Sequence, residues 1–124
     1  MLPIDIKLHQ KSKRLELSFT DSRIYSFSYE FLRVHSPSAE VRGHSPSQAV
    51  LQLDKVSVGV KEVELVGAYA LKITFDDGHN TGLYTWDYFR ELHDNKEQYW
   101  NNYLQKLIDM GHDRELWLRN ASSV

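Results

Sequence analysis

The periodicity of this chain predicts an α+β fold: mostly antiparallel β-sheet arranged as a meander, with two C-terminal α-helices. Three observations carry that prediction. Apolar and polar residues alternate through much of residues 4–84, turn residues break the alternation at short intervals, and the period changes to a helical one after Thr85.

Ile4, Ile6 and Leu8 alternate with Asp5, Lys7 and His9. Leu15, Leu17 and Phe19 repeat the pattern, and Ile24, Tyr25 and Phe27 follow it more loosely. Each set reads as a strand with one buried face. Gln10-Lys11-Ser12-Lys13 and Thr20-Asp21-Ser22-Arg23 are the turns between them, so a three-stranded meander is expected. Tyr29 to Arg33 reads as one helical turn.

Residues 35–48 contain a tandem echo, Arg33-Val34-His35-Ser36-Pro37-Ser38 and Arg42-Gly43-His44-Ser45-Pro46-Ser47. Two copies are too few for a repeat array. Each proline lacks an N–H and pushes its predecessor away from the helical region, so the stretch reads as an irregular loop. A connection of roughly fourteen residues is long for a compact domain, and such loops often carry function.

Strands resume with Val56, Val58 and Val60, then Val63 and Leu65, then Ala70 to Phe75, with Gly67 as a turn or bulge. Phe75-Asp76-Asp77-Gly78-His79 is the clearest hairpin turn, because Asp-Gly readily adopts positive φ, and Thr81 to Tyr84 is the return strand. Thr85 caps a helix with Trp86, Phe89 and Leu92 on one face and Asp87 at its dipole-favoured end. A second helix is expected from Asp94, with Glu97 in capping-box spacing. Its apolar stripe is Trp100, Tyr103, Leu104, Leu107 and Ile108, and Gly111 ends it. Asp113 to Arg119 adds a further helical turn. Trp117 either folds back or leaves an apolar patch for a partner. Residues 1–124 read as one domain, of which 94–124 are the last helix and tail.

Composition narrows the function. There is no cysteine, which excludes thiol catalysis, disulfides and cluster ligation by this chain. The net charge is -2 with no basic stripe, so nucleic acid is not an expected partner. The N-terminus has no leader pattern, no apolar run approaches the roughly 20 residues that span a bilayer, and a cytoplasmic location is expected without membrane contact. Asn120-Ala121-Ser122 then matches a glycosylation sequon by chance. The oligomeric state is left open.

Catalytic signatures are absent: no phosphate loop, no paired-His zinc helix, no facial triad. Gly43-His44-Ser45-Pro46-Ser47 lacks the second glycine of a nucleophile elbow. Arg33 and Arg42 flank the loop, and two guanidinium groups could recognise an anion or a partner. The preferred reading is that each ties the loop to Glu40, Asp76 or Asp77. His35, His44 and His79 could hold a metal if the fold gathers them, but surface or hydrogen-bonding roles are preferred. Asp76 and Asp77 are read as turn residues rather than cation ligands. His9, His93 and His112 are read as surface positions, and Trp86, Trp100 and Tyr103 as core. The leading expectation is a non-catalytic accessory or protein-interaction module with an unspecified protein partner. Its surface would be Arg33, Arg42, His44, Asp77 and His79, and no metal or other cofactor is expected. The alternatives are a metal-binding module built on His79 with His35 or His44, zinc being the ion considered, and an enzyme acting on a small anion.

The run from Leu32-Arg33 to His44, Val66-Gly67-Ala68-Tyr69-Ala70-Leu71, and Asp77-Gly78-His79-Asn80-Thr81-Gly82-Leu83-Tyr84 resemble the gamma-butyrobetaine-hydroxylase-like N-terminal domain over residues 4–99. In the hydroxylases, that resemblance implies a domain preceding a separate oxygenase domain, with a structural zinc on three cysteines and a histidine. The corresponding positions here are Ser36, Ser38, Val41 and His79, so the thiolates are missing. These residues hold no oxygenase domain, and hydroxylase activity is not expected to carry over. The domain also resembles a segment fused to Mrp-type ATPases that carry iron–sulfur clusters, which implies an accessory role near cluster assembly.

Overall fold

The computed structural model describes residues 2–116. Trp117, with the patch expected there, and the sequon at Asn120 lie outside the described residues. Strands β1 (Asp5–His9), β2 (Arg14–Ser18) and β3 (Ile24–Ser28) form the expected antiparallel meander. Its register sets Ile6 opposite Leu17, Leu8 opposite Leu15, Leu15 opposite Phe27 and Leu17 opposite Tyr25, so one face is apolar throughout. Ile24 departs from the loose alternation and is exposed. Helix α1 (Tyr29–Val34) follows at once, with Ser28 accepting the Phe31 N–H at its N-terminus.

Residues 35–48 are more structured than the two Ser-Pro pairs predict. Ser38 caps a four-residue helix α2 (Ala39–Arg42), and Pro46–Gln48 form a 3-10 turn. Proline opens the 3-10 turn, where its missing N–H costs nothing. Gly43 joins the two with φ +68° and ψ -167°, a region only glycine populates freely. A side chain there would also strike the Gln48 backbone.

The second sheet is β4 (Val60–Val66), β5 (Ala70–Phe75) and β6 (Leu83–Thr85), again antiparallel in sequence order. Val56 and Val58 precede the first strand rather than extend it, although Val58 is buried. The Asp-Gly turn forms, with Gly78 at φ +90°, but pairing resumes only at Leu83. His79 and Thr81 leave the ladder because their side chains are engaged by the loop. Helix α3 (Trp86–Asp94) starts at Thr85, whose hydroxyl accepts the Tyr88 N–H. Helix α4 (Lys96–Met110) starts two residues later than Asp94, which belongs to the end of α3, and Asn95 precedes it without a capping side-chain bond. Gly111 ends it in the left-handed conformation. Ile108 faces solvent, and Tyr103 and Leu107 are the buried residues of the stripe. No helix among the described residues is long and apolar enough to cross a membrane.

The two sheets share one core. Leu15, Leu17 and Phe27 from the first meet Leu71, Ile73, Phe75 and Tyr84 from the second, with Leu32 of α1 and Phe89 and Leu92 of α3 between. Trp86 and Trp100 pack on that core while partly exposed. A satellite cluster of Val34, Tyr103 and Leu107 seats α4. Gln10 stitches the seam: its Oε1 accepts from the Tyr29 hydroxyl, and its amide donates to the Val60 carbonyl. His93 is a half-buried rather than a surface residue, stacked on Tyr25 with centroids 4.0 Å apart. His112 pairs with Asp54 and His9 with Glu16.

Glu30 of α1 is buried and takes a forked pair from Arg114, Nε to Oε2 at 2.7 Å, while the guanidinium lies over Trp100. The pair ties the segment after α4 back to α1. Arg114→Ala strands a buried carboxylate and should cost about 3 kcal/mol in urea unfolding, whereas Glu30→Leu/Arg114→Leu should recover most of it. Equal losses in the single and double variants would contradict this account.

Candidate functional site

Arg33 sits in the last turn of α1, and its side chain is almost fully buried. Nε donates to Asp77 Oδ2 at 2.8 Å and Nη1 to Gln52 Oε1 at 3.0 Å. Lys55 donates to the same Asp77 oxygen at 2.7 Å, and the His79 N–H reaches Oδ1 at 3.1 Å. One carboxylate therefore joins α1, the stretch before β4 and the turn after β5. Burial alone would raise the Asp77 carboxyl, but the bonds from Lys55, the His79 amide and Arg33 outweigh it and bring it down to about 2.

The same turn aims His79 into the loop. Ser36 is 1% exposed, and its hydroxyl lies 2.7 Å from His79 Nε2. Glu40 Oε2 lies 3.5 Å from Nδ1 on the other side of the ring. Ser38 N–H points at Ser36 Oγ, and the Ser38 hydroxyl meets that of Thr81 at 2.9 Å. Burial lowers the His79 pKa, as does the Arg33 charge, while Glu40 and Asp77 act in the opposite direction. A neutral imidazole with its proton on Nδ1, toward Glu40, accepts the Ser36 hydroxyl at Nε2. The order serine–histidine–carboxylate is that of a hydrolytic triad. The serine, however, is enclosed, and a Cβ at Gly82 would come within 2.4 Å of its Oγ, so no acyl group can approach from that side.

Ser36, Ser38 and Val41, the positions that the family resemblance matches to cysteines, are all buried, and Ser36 is bonded to His79. Their donor set does not fit zinc. Two hydroxyls and a valine replace thiolates, and the histidine nitrogen that would ligate is already bonded to Ser36. Nor do His35, His44 and His79 converge. His35 turns Nδ1 to the Phe31 carbonyl at 2.8 Å, between Phe31 and Tyr99, and His44 is exposed. No group of three His, Cys, Asp or Glu side chains among the described residues is arranged to hold a metal.

On the far side of the loop lies an open groove of about 540 Å³, with α2 and residues 46–52 as one wall and Tyr88, Tyr99, Asn102, Tyr103 and Lys106 as the other. His35 and Ser36 reach its floor. Arg42 lies on its rim with the guanidinium 4.6 Å from the Tyr88 ring centroid. The Tyr88 hydroxyl donates to the His35 carbonyl and that of Tyr103 to the Gln52 carbonyl, both at 2.6 Å.

The expected set thus divides. Arg33, Asp77 and His79 come together in a part-buried clamp, whereas Arg42 and His44 lie outside it. Arg33 does tie the loop to Asp77, but Arg42 packs on an aromatic ring instead of a carboxylate. The family resemblance set Ser36 and His79 at one site, as metal-ligand positions rather than as hydrogen-bonded partners, whereas sequence reasoning missed Lys55, Gln52, Tyr88, Tyr99 and Lys106. The last three lie on the exposed edges of helices whose apolar stripes drew attention to the opposite face, and no local signal marks Lys55 or Gln52.

Because the folded-state pKa of Asp77 lies below its unfolded value, the clamp's contribution is complete above pH 4 and disappears as the pH falls toward 2. Discounted for solvent screening of the exposed Asp77, wild type should exceed Asp77→Asn by about 1 kcal/mol at neutral pH, and the two urea midpoints should converge by about pH 2. A pH-independent gap would show that the charge is not what stabilises the turn.

Comparison with known proteins agrees with this architecture. The family model described as gamma-butyrobetaine hydroxylase-like, N-terminal, matches residues 6–90. No curated protein matches. A protein known from an NMR solution structure is 50% identical, with TM-score 0.78 over 91% of this chain and 89% of that one. A second NMR structure is 42% identical, with TM-score 0.78 over 91% and 84%. A crystal structure of an Acidithiobacillus ferrooxidans protein with unknown function, of the DUF971 family, is 36% identical, with TM-score 0.60 over 73% and 91%. The chain belongs to the gamma-butyrobetaine hydroxylase-like N-terminal family.

Proposed function

We propose that this chain is a non-catalytic accessory module that acts by binding another protein through the groove between residues 34–52 and helices α3 and α4. One observation carries the reading. The reactive side chains of the loop are bonded to one another in the clamp, while the groove beside them keeps exposed cations and tyrosine faces. A polar network closed on itself rigidifies its segment. Arg33, Asp77 and His79 therefore act as the frame, and Arg42 and the groove act as the contact surface. The enclosed Ser36 supports reading the serine–histidine–glutamate order as structural rather than hydrolytic. A cytoplasmic setting and a partner connected with iron–sulfur assembly extend the proposal on family resemblance alone.

A photo-crosslinking side chain at position 99 should give discrete adducts in cells, and the same group at the exposed Leu65 on β4 should not. Adducts at both sites, or at neither, would sink the groove as the contact surface.

Zinc is not part of this proposal, because Ser36, Ser38 and Val41 do not supply ligands. Added zinc should leave the wild-type Tm unchanged, whereas Ser36→Cys/Ser38→Cys/Val41→Cys with His79 retained should gain a zinc-dependent rise. Near-stoichiometric zinc in untagged wild type, lost in His79→Ala, would revive the metal-binding alternative.

A further inference from the structure

From the groove's charge and its spent hydrogen-bonding groups, we infer that it receives an extended acidic peptide segment of the partner, carrying apolar side chains between its carboxylates. This rests on the interaction-module reading above and specifies what that module binds.

The charges point one way. Arg42 and Lys106 are the charged residues among those lining the groove, and no Asp or Glu is among them. Neither cation has a carboxylate within ion-pair distance among the described residues, although the protein as a whole carries a net charge of -2. Arg33 and Arg114, by contrast, are held in close pairs. Glu91, which is not among the lining residues, has its Oε2 taken by the Tyr99 hydroxyl at 2.8 Å.

The hydrogen bonds argue for a chain rather than a compact metabolite. Small-ligand sites fix their ligand with a few converging polar groups. Here the Tyr88 and Tyr103 hydroxyls already donate to backbone carbonyls and cannot donate again. What remains is the Asn102 amide and two long cationic side chains, one from each wall, with tyrosine rings and the aliphatic residues of the loop between them. That arrangement suits carboxylates at the walls and a Leu or Phe between, and long cationic side chains tolerate the spacing a flexible segment presents.

The test uses the intact chain and fluorescein-labelled synthetic hexapeptides in which Leu and Phe are interspersed with Glu, Gln or Lys. Anisotropy should show saturable binding of the Glu peptide that weakens steeply between about 0.05 and about 0.5 M salt. Binding of the Gln peptide should be at least tenfold weaker, and the Lys peptide should not bind. Arg42→Glu/Lys106→Glu changes two exposed residues, so the variant should keep the wild-type amide spectrum. It should lose the Glu peptide by tenfold or more and gain the Lys peptide. Equal affinity for Glu and Gln peptides, no binding of the Glu peptide, or unchanged binding after charge reversal would each overturn the inference. So would benzoate shifting the groove amides while the peptides do not, which would indicate a small-anion site. The crosslinker at position 99, placed in the reversed variant, separates the two levels. Persisting adducts with no peptide binding would retire the acidic segment and leave the interaction module, and loss of both signals in wild type would retire both.

Discussion

The ion pair between Arg33 and Asp77 is the constraint on which the candidate site depends. A half-buried pair of this kind contributes little net stability, yet breaking it leaves the enclosed Arg33 guanidinium without its carboxylate. Its value is positional. Asp77 accepts from Arg33, Lys55 and the His79 amide, so three remote segments must meet at one carboxylate. Once they do, His79 has a single direction to face and the Ser36 hydroxyl lies in it. The turn after β5, the end of α1 and the start of the loop then behave as one unit, and α2 is built on that base.

Helix α1 is short, and it is held from two sides. Arg33 anchors its C-terminal end to the second sheet, while Glu30 in its first turn holds the segment beyond α4 through Arg114. Six residues could not persist as a free helix. Here they are fixed by two ion pairs and by the burial of Phe31 and Leu32 between the sheets. The same helix therefore organises both the clamp and the seating of α4, whose outer surface forms the second wall of the groove.

Much of the fold was legible because its signals are local. The alternation of Leu15 and Leu17, the cap at Thr85 and the stop at Gly111 each act within a few residues, and the structure follows them. Residues 35–48 are less irregular than Pro37 and Pro46 suggest as breakers. Ser38 and Pro46 instead open short helical segments, a role that depends on what lies two or three residues further on. Val56 and Val58 imitate a strand, but nothing pairs with them there, and pairing is not a local property. For the site, Arg33 and His79 were visible as charged and titratable residues around a loop. Their partners were less so: Ser36 and Lys55 become meaningful only when residues 43 and 22 positions apart meet. The groove was invisible for a similar reason. It is a space between elements, and composition carries no record of where two cations will lack a carboxylate.

The contact between Gly82 and Ser36 restricts how this domain can change. A Cβ at position 82 would fall 2.4 Å from Ser36 Oγ and 3.1 Å from Pro37. No side chain enters at 82 while a heteroatom at 36 points toward His79, so the two sites cannot drift independently. A side chain at 82 would displace Ser36 and with it the bond to His79, so the loop and the return strand share one packing constraint.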